Sequence, residues 1–391
     1  MENGEGVTLV PFEHQVGGHT GMMIYDEATV CKPVSPAELH FYETLSPEIA
    51  QFTPSFKGVV HVSVQEDEDG SLSVQAYPIR AQRQTTGSRT PSNNVQAGVP
   101  DQLAKKSQKQ SLHRSPKWKH PHRGWAPPTT EGTGAEDLFE DHSESKTTHH
   151  RLNKGNPWGV HLNRLQVARM REDHATGKPQ KFILLENLTS RFSAPCILDM
   201  KLGTRTYHKD HSEEKRQMHI DRDAATTTAS LGLRLCGMQI YQPGSGRYKC
   251  RNKYDGRRLA ADGFKRALGE FFSTPSGLRR ELIPPFVDKL ATLIRVISSL
   301  TPSHSFLSSS LLLIYEGDTD QTRPCLQTAT TMANGDGERD SCDRDDSPES
   351  AVDLRIIDFA NTEMDPDCNS GCVYGLKNLV QFLKELQAAA Q

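Results

Sequence analysis

Between residues 80 and 155 the chain carries few aliphatic side chains. Pro, Ser, Thr, Gln and charges dominate, as in AQRQTTGSRTPSNNVQAGVP. Such a stretch cannot bury enough apolar surface to offset the entropy of ordering it, so it reads as a disordered insert. A second polar and acidic run covers about 318–350, from GDTDQTRPCLQ to DRDDSPES. The fold must therefore be assembled from what these runs leave: residues 7–79, and residues 156–391 with the second insert inside them. Hydrophobic residues make up only 35% of the 391, which agrees with part of the length staying out of any core.

The bulk numbers exclude several classes. Net charge is −3, so no nucleic-acid partner is expected, and any polyanion must meet a local basic patch. The start, MENGEGVTLVPFEH, lacks a basic segment followed by an apolar one, so no signal peptide is expected. SLLLIY is the core of a buried strand, too short for a membrane span. The eight cysteines are scattered without a C-x-x-C pair, which fits reduced thiols and a cytoplasmic or nuclear setting. Neither a P-loop nor a dinucleotide-binding G-x-G-x-x-G is present.

Residues 7–79 read as a β-rich unit. Val60, Val62 and Val64 alternate, as do Leu72, Val74 and Ala76, which predicts a half-buried hairpin. SPAELHFYETL predicts a helix with Ser35 as N-cap, Pro36 at the first position and Glu38 closing a capping box. In the second stretch, KFILLENL, PCILDMKL, LGLRLCGMQIYQ, SSSLLLIYEG and VDLRIIDFAN read as strands. WGVHLNRLQVARM, SEEKRQMHIDRD, ADGFKRALGEFF and PPFVDKLATLIRVISSL read as helices. YGLKNLVQFLKELQ closes the chain, with Leu376, Leu379, Val380 and Leu383 on one face.

Four places carry chemistry. Asp199 and Lys201 lie two residues apart on a strand and so face the same side. A buried structural ion pair is the plain alternative, but such pairs cost desolvation and add little stability. Asp358 continues the face of Val352, Leu354 and Ile356, and an acid at a buried strand's end can hold Mg²⁺ together with phosphate oxygens; an edge aspartate is the other reading. Lys32, in line with Val30, can pair with nucleotide phosphates, with Glu43 on the next helix as a candidate to hold it. Lys215, His219 and Arg222 share one helix face that could grip an anion or simply be solvated. The glycine-rich HQVGGHTG, residues 14–21, could drape over phosphates or be a flexible turn. His120, His122, His149 and His150 lack neighbouring ligands at metal spacing.

Taken together the chain resembles the inositol polyphosphate kinases. The family pattern P-x-x-x-D-x-K-x-G stands here as Pro195, Asp199, Lys201 and Gly203; S-S-L-L stands at Ser309–Leu312, and I-D-F at Ile357–Phe359. PFEHQVGGH, TVCKP, FYETL, FTPSFKGVV, ILLENL, LRLCGMQIYQ and RNKYDGR are most similar to the hexakisphosphate kinases of that family. Departures fall in two regions, and in one of them the usual Y-R-F-Y-S-S-S reads here as His304, Ser305, Phe306, Leu307, Ser308, Ser309 and Ser310. The family's G-T-R-Q-H-G-D-D continues here, after Gly203, as Thr206, Tyr207, His208, Lys209 and Asp210, and Asp221 stands where an arginine is usual.

The resemblance implies an α+β, two-lobed kinase-like fold, with a small antiparallel β lobe, a larger α+β lobe and ATP between them. It implies that Lys32 meets ATP phosphates, that the connector Glu186, Asn187 and Leu188 binds adenine, that Asp199 binds ribose, and that Asp358 holds Mg²⁺. Lys201 would serve the transferring phosphoryl group and the inositol phosphate. Pro195, Asp199, Gly203, Lys215, His219 and Arg222 would complete the substrate site. The expected reaction converts inositol hexakisphosphate to diphosphoinositol pentakisphosphate. An inositol hydroxyl kinase of the trisphosphate 3-kinase or multikinase type, and a non-catalytic inositol-phosphate-binding scaffold whose inserts dock protein partners, remain the alternatives.

Overall fold

The computed structural model describes residues 6–66, 72–79, 156–174, 180–300, 306–318, 351–360 and 366–389. The two inserts and the four histidines of the first one lie outside the described residues.

The small lobe begins with β1 (Val7–Pro11), β2 (Met23–Asp26) and β3 (Thr29–Pro33). Two short helices follow, α1 (Pro36–Glu43) and α2 (Pro47–Ala50), then the long hairpin β4 (Phe56–Glu66) and β5 (Leu72–Pro78). The hairpin has the register that the alternating valines require: Val62 faces Ala76 and Val64 faces Val74. After the first insert come α3 (Pro157–His174) and β6 (Gln180–Glu186). β6 pairs with both β3 and β4 and closes a barrel in the order β1-β2-β3-β6-β4-β5. Its interior is filled by Leu9, Met23, Cys31, Val60, Val62, Val64, Val74, Ala76, Phe182 and Leu184, and Val167 and Met170 of α3 pack against them.

A division of the chain at residue 156 therefore corrects to one near 186. β6 and α3 follow the insert in sequence but belong with the small lobe, because β4 and β3 would otherwise each be left with an open edge.

The larger lobe is built on a five-stranded antiparallel sheet in the order β13-β12-β7-β8-β9. Its strands are β7 (Pro195–Leu202), β8 (Leu233–Gln242), β9 (Arg247–Arg251), β12 (Ser310–Glu316) and β13 (Val352–Ile357). Between β7 and β8 run α4 (Glu213–Ala225) and α5 (Thr227–Leu231). After β9 come α6 (Lys253–Arg257), α7 (Ala261–Phe271), the small ribbon β10 (Ser273–Thr274) and β11 (Gly277–Leu278), and α8 (Ile283–Ser299). α9 (Pro366–Ala388) ends the described chain. β12 is buried along its whole length and β7 everywhere except Lys201, which explains their near-continuous apolar sequences: both faces of the sheet are covered. Phe286, Leu290, Leu293 and Ile297 of α8 meet Leu376, Leu379 and Leu383 of α9 in this core, with Val380 only partly buried. α9 starts earlier than the sequence periodicity alone indicates, at Pro366, whose fixed φ suits a first helical turn. Among the described residues no helix is long and apolar enough to cross a membrane.

Candidate active site

The site forms where β3 of the barrel faces the near ends of β7, β12 and β13. On β7, Asp199 sits between Leu312 and Gly237 of the neighbouring strands, and Lys201 between Ser310 and Arg234. Just past β13, Asp358 takes a left-handed backbone conformation (φ 66°). Aspartate tolerates that conformation better than most residues. The turn leaves its carboxylate between the lobes. Lys32 Nζ of β3 donates to Asp358 Oδ1 at 3.2 Å, and Lys201 Nζ lies 3.6 Å from Oδ2. Lys201 also donates to the carbonyl of Ser308 at 2.6 Å, and Ser308 is the second non-glycine residue with a left-handed φ, at 60°. Two strained residues thus aim an acid and a carbonyl at one ammonium.

Lys32 is held from behind by Glu38 of α1, at 2.9 Å. Glu38 is buried, whereas Glu43 is exposed, so Glu38 is the residue that steadies Lys32. The capping box expected at Ser35 does not form. The Ser35 side chain makes no cap hydrogen bond, and Glu38 turns to the lysine because a buried carboxylate gains more from a cation than from an amide. Burial would raise the carboxyl of Asp358, but Lys32 and Lys201 outweigh it and hold the group far below the usual carboxylate range. Lys32 shows the mirror effect: burial opposes its charge, while Asp358 and Glu38 hold its pKa above the ordinary lysine value.

Asp199 is the opposite case. It is 2% exposed, and burial raises its carboxyl to about 6 against the lowering influence of Lys201. Its Oδ1 is buried without a hydrogen-bond partner. The reason lies in the loop 14–21. Gly17 rests on the other carboxylate oxygen, so closely that a Cβ there would lie 1.9 Å from Oδ2, and the Val16 carbonyl rests on Gly237 of β8 in the same way. Gln15 fixes the loop from inside. Its Nε2 donates to the Gly17 and Thr20 carbonyls, and its Oε1 accepts from the Met22 N–H. The loop is therefore seated on the larger lobe, not a flexible turn.

Around Asp199 lies a small apolar cluster: Val16, Ile197, Leu312 and Ile314 are buried, with Leu188, Phe192 and Ile357 partly buried against them. The sequence reading missed this cluster, although Ile197, Asp199 and Lys201 obey one period-2 rule. Leu188 brings the connector to it, and the Glu186 N–H is taken by the Ser55 carbonyl.

Three expected ligand residues make structural contacts. The Asn187 side chain is spent inside the connector: it donates to the Glu27 carbonyl and accepts from the Thr189 N–H and hydroxyl. Pro195 is buried at the far end of β7, about 20 Å along the strand from Lys201. Gly203 ends β7 with φ 103° and donates to the Gly232 carbonyl, so its role is the exit turn.

The chain is similar to known proteins. The family model for inositol polyphosphate kinase matches residues 182–384. Inositol hexakisphosphate kinase 2 of Oryctolagus cuniculus is 37% identical, over 98% of this chain and 95% of its own. Inositol hexakisphosphate kinases 3 and 1 of Homo sapiens are each 36% identical over 98% of this chain, and 96% and 94% of theirs. The chain belongs to the inositol polyphosphate kinase family. The resemblance read from its motifs is borne out. Among solved structures, inositol phosphate multikinase Ipk2 from S. cerevisiae, in complex with ADP and Mn²⁺, is 28% identical over 53% of this chain and 84% of its own, with a TM-score of 0.43.

The third group of expected residues lies on α4 of this kinase-family chain. Ser212 caps the helix by accepting from the Lys215 N–H. His219 and Arg222 are half-buried and touch, Arg222 Nη2 donating to His219 Nδ1 at 2.6 Å, while Lys215 is exposed. Asp221 is exposed and accepts from Gln217 at 2.8 Å, on a different face from Lys215, His219 and Arg222. Buried Asp223, which the sequence reading did not single out, accepts from the Thr206 N–H at 2.7 Å and from its hydroxyl at 2.8 Å, tying the helix to the end of β7.

Proposed function

We propose that this chain transfers the γ-phosphoryl group of ATP to a phosphate of inositol hexakisphosphate, giving a diphosphoinositol pentakisphosphate. The observation that carries the reading is the convergence of Lys32 and Lys201, from separate lobes, on the single carboxylate of Asp358.

The fit to a nucleotide rests on three features. Leu188, Phe192 and Ile357 form the partly buried margin of an apolar cluster that suits a purine edge, the connector from Glu186 runs into Leu188, and Asp199 is a buried acceptor whose Oδ1 is short of a geometric hydrogen bond. A ribose would supply a hydroxyl to it. Among the described residues no group of three or more His, Cys, Asp or Glu could hold a metal ion by itself. One carboxylate beside two lysines instead fits a Mg²⁺ that arrives with the nucleotide and keeps most of its oxygen ligands from phosphate and water. Bound at Asp358, Mg²⁺ would neutralise charge on the transferring group.

The chain's own groups then do the following. Lys32, backed by Glu38, holds the nucleotide phosphates. Lys201 sits where the transferred group passes and compensates its equatorial charge. An acceptor phosphate oxygen is already ionised, so its electron pair forms the new P–O–P bond as the bond to ADP breaks and ADP departs with that pair. No proton need be removed. This matches the site, because Asp358 is held far too acidic to serve as a base and Asp199 lies beneath Gly17. A hydroxyl acceptor would need such a base. Lys215, His219 and Arg222 lie beyond Lys201, where the remaining phosphates of a dense polyanion need cations.

Phosphorus NMR tests the proposal. Purified chain, Mg-ATP and inositol hexakisphosphate should give diphosphate resonances on the inositol and one ADP for each transfer. Preference for an inositol trisphosphate, with a new monoester signal, would instead establish the hydroxyl kinase. No ATP consumption with either substrate would establish a scaffold.

A further inference from the structure

Residues Phe52 to Ser55 lead from α2 into β4 of the small lobe, and three residues hold them. The Ile356 N–H of β13 donates to the Phe52 carbonyl at 2.6 Å. Arg355 Nη1, from the same strand, donates to the Thr53 carbonyl at 3.0 Å. Glu186, the last residue of β6, takes Ser55. Its Oε2 accepts from the Ser55 N–H at 3.0 Å and from the hydroxyl at 3.1 Å, and its own N–H donates to the Ser55 carbonyl.

Arg355 joins these contacts into one set. Its Nη1 lies 3.7 Å from Glu186 Oε2, and its Nε donates to Asp353 Oδ1 at 2.8 Å. Asp353 is buried and lies 3.7 Å from Arg191, just past the connector. One guanidinium therefore reaches a carbonyl of the small lobe, the carboxylate at the start of the connector and a carboxylate of the large lobe.

The two ends of this strap are the two sides of the reacting centre. β13 is an edge strand of the large sheet, and segment 52–55 occupies its open side. Asp358 stands three residues beyond Arg355. At the other end, Glu186 pairs in register with Thr29 of β3, the strand that carries Lys32. Lys57 ties β4 to the same place, its Nζ donating to the Ala28 carbonyl at 2.6 Å and to the Thr29 hydroxyl at 2.9 Å. A second contact lies on the far side of Asp358: Phe359 stacks on Phe41 of α1, ring centres 3.8 Å apart and planes at 12°.

Stability does not account for the arrangement. The Arg355 and Glu186 side chains are 20% and 31% exposed, and ion pairs open to water add little. A planar guanidinium with several partners supplies orientation instead, because its donors fix the angles between them.

We propose that Arg355 is a positioning residue for phosphoryl transfer: with Glu186 it straps the small lobe to β13 and so sets Lys32 opposite Asp358 and Lys201. This deepens the kinase reading and rests on it for the reaction that reports the alignment. The action is indirect, through the place at which Lys32 meets the phosphates. A displacement of about 1 Å in such a constellation costs on the order of 100-fold in rate.

The test uses the full chain with Arg355→Gln, Glu186→Gln, both together, and Arg355→Lys. Glutamine at 186 keeps an oxygen for Ser55 and drops the charge that faces Arg355. With Mg-ATP and inositol hexakisphosphate, Arg355→Gln should lower kcat about 10- to 100-fold while KM for ATP rises less than about threefold. The double variant should be slower than Arg355→Gln by no more than about twofold, since the two side chains act as a unit. Arg355→Lys keeps the charge and fewer simultaneous contacts, so it should fall between Arg355→Gln and wild type. Hydrogen exchange is the second readout. Peptides covering 52–56 and 352–357 should exchange about tenfold faster in Arg355→Gln, with β7 and β12 unchanged. Wild-type kcat in Arg355→Gln overturns the proposal and leaves the kinase reading standing. A fall in kcat without faster exchange at the two peptides also overturns it, and so does faster exchange spread evenly over the sheet, which marks a residue of the fold alone. If Arg355→Gln does not fold, Arg355→Lys is judged by the same criteria. If the wild-type chain does not turn over, the kinase reading falls, and exchange at the two peptides still decides the strap.

Discussion

Gly17 lies flat against the carboxylate of Asp199, with no room for a β-carbon between them. The contact joins the glycine-rich loop of the small lobe to the central sheet of the large one. Gly17→Ala should therefore push the loop off the sheet. A methyl at 1.9 Å from Oδ2 cannot be absorbed, and overpacking of this kind costs about 1–3 kcal/mol. The expected result is a KM for ATP raised at least about tenfold with a modest fall in melting temperature. An unchanged KM would show that the loop does not border the nucleotide.

Asp199→Asn separates function from stability. The carboxyl of Asp199 is raised from 3.8 to about 6, so the folded state prefers the proton more than the unfolded chain does. Its contribution is therefore intact below about pH 4 and lost as the pH climbs through 6. At pH 7 the buried charge costs on the order of 2–3 kcal/mol. The asparagine variant should melt higher than wild type at pH 7 and equally at pH 4, while losing most of its affinity for ATP. Melting curves at the two pH values check the sign.

Lys201→Ala should lower kcat by about 10³-fold or more, since the lost interaction is made to charge that develops in the transition state. Asp358 keeps Lys32 as a partner, so the fold should survive. Turnover close to wild type, measured by ADP release, would remove Lys201 from the mechanism.

Glu38→Gln tests which acid steadies Lys32. Removing one partner of a buried pair is costly, here about 1–3 kcal/mol because Asp358 remains, and KM for ATP should rise several-fold. Glu43→Gln, on the exposed side of the same helix, should change neither by more than about 0.5 kcal/mol or twofold. Equal effects of the two would return the role to both acids.

Much of this site is legible in the sequence because it obeys period 2. Asp199 and Lys201 face one way on β7, Val30 and Lys32 one way on β3, and the valines of β4 fix their hairpin. Alternation alone does not bring Asp358 to the two lysines. Alternation carries a residue to the strand's end, and the left-handed turn that then re-aims its carboxylate leaves no periodic signal. Glu38 was legible as an acid at the third helical position, which local capping rules assign to the backbone; only the tertiary approach of Lys32 redirects it. Pro195 and Asn187 travelled with their motifs and carry structure. Asp223 and the ordered seat of Gly17 could not be read, since each depends on a partner far along the chain.

The small barrel is closed by a strand that the ribosome delivers late. β6 inserts between β3 and β4 only after residue 186 has been made, some hundred residues behind β5. Until then a nascent chain holds five strands with two hydrogen-bonding edges bare, and synthesis at about 5–20 residues per second keeps them bare for roughly 5–20 seconds. Shortening the intervening segment would narrow that window while changing the closure entropy little, since this grows only with the logarithm of length. The yield of soluble protein, more than its melting point, is the quantity such a deletion should move.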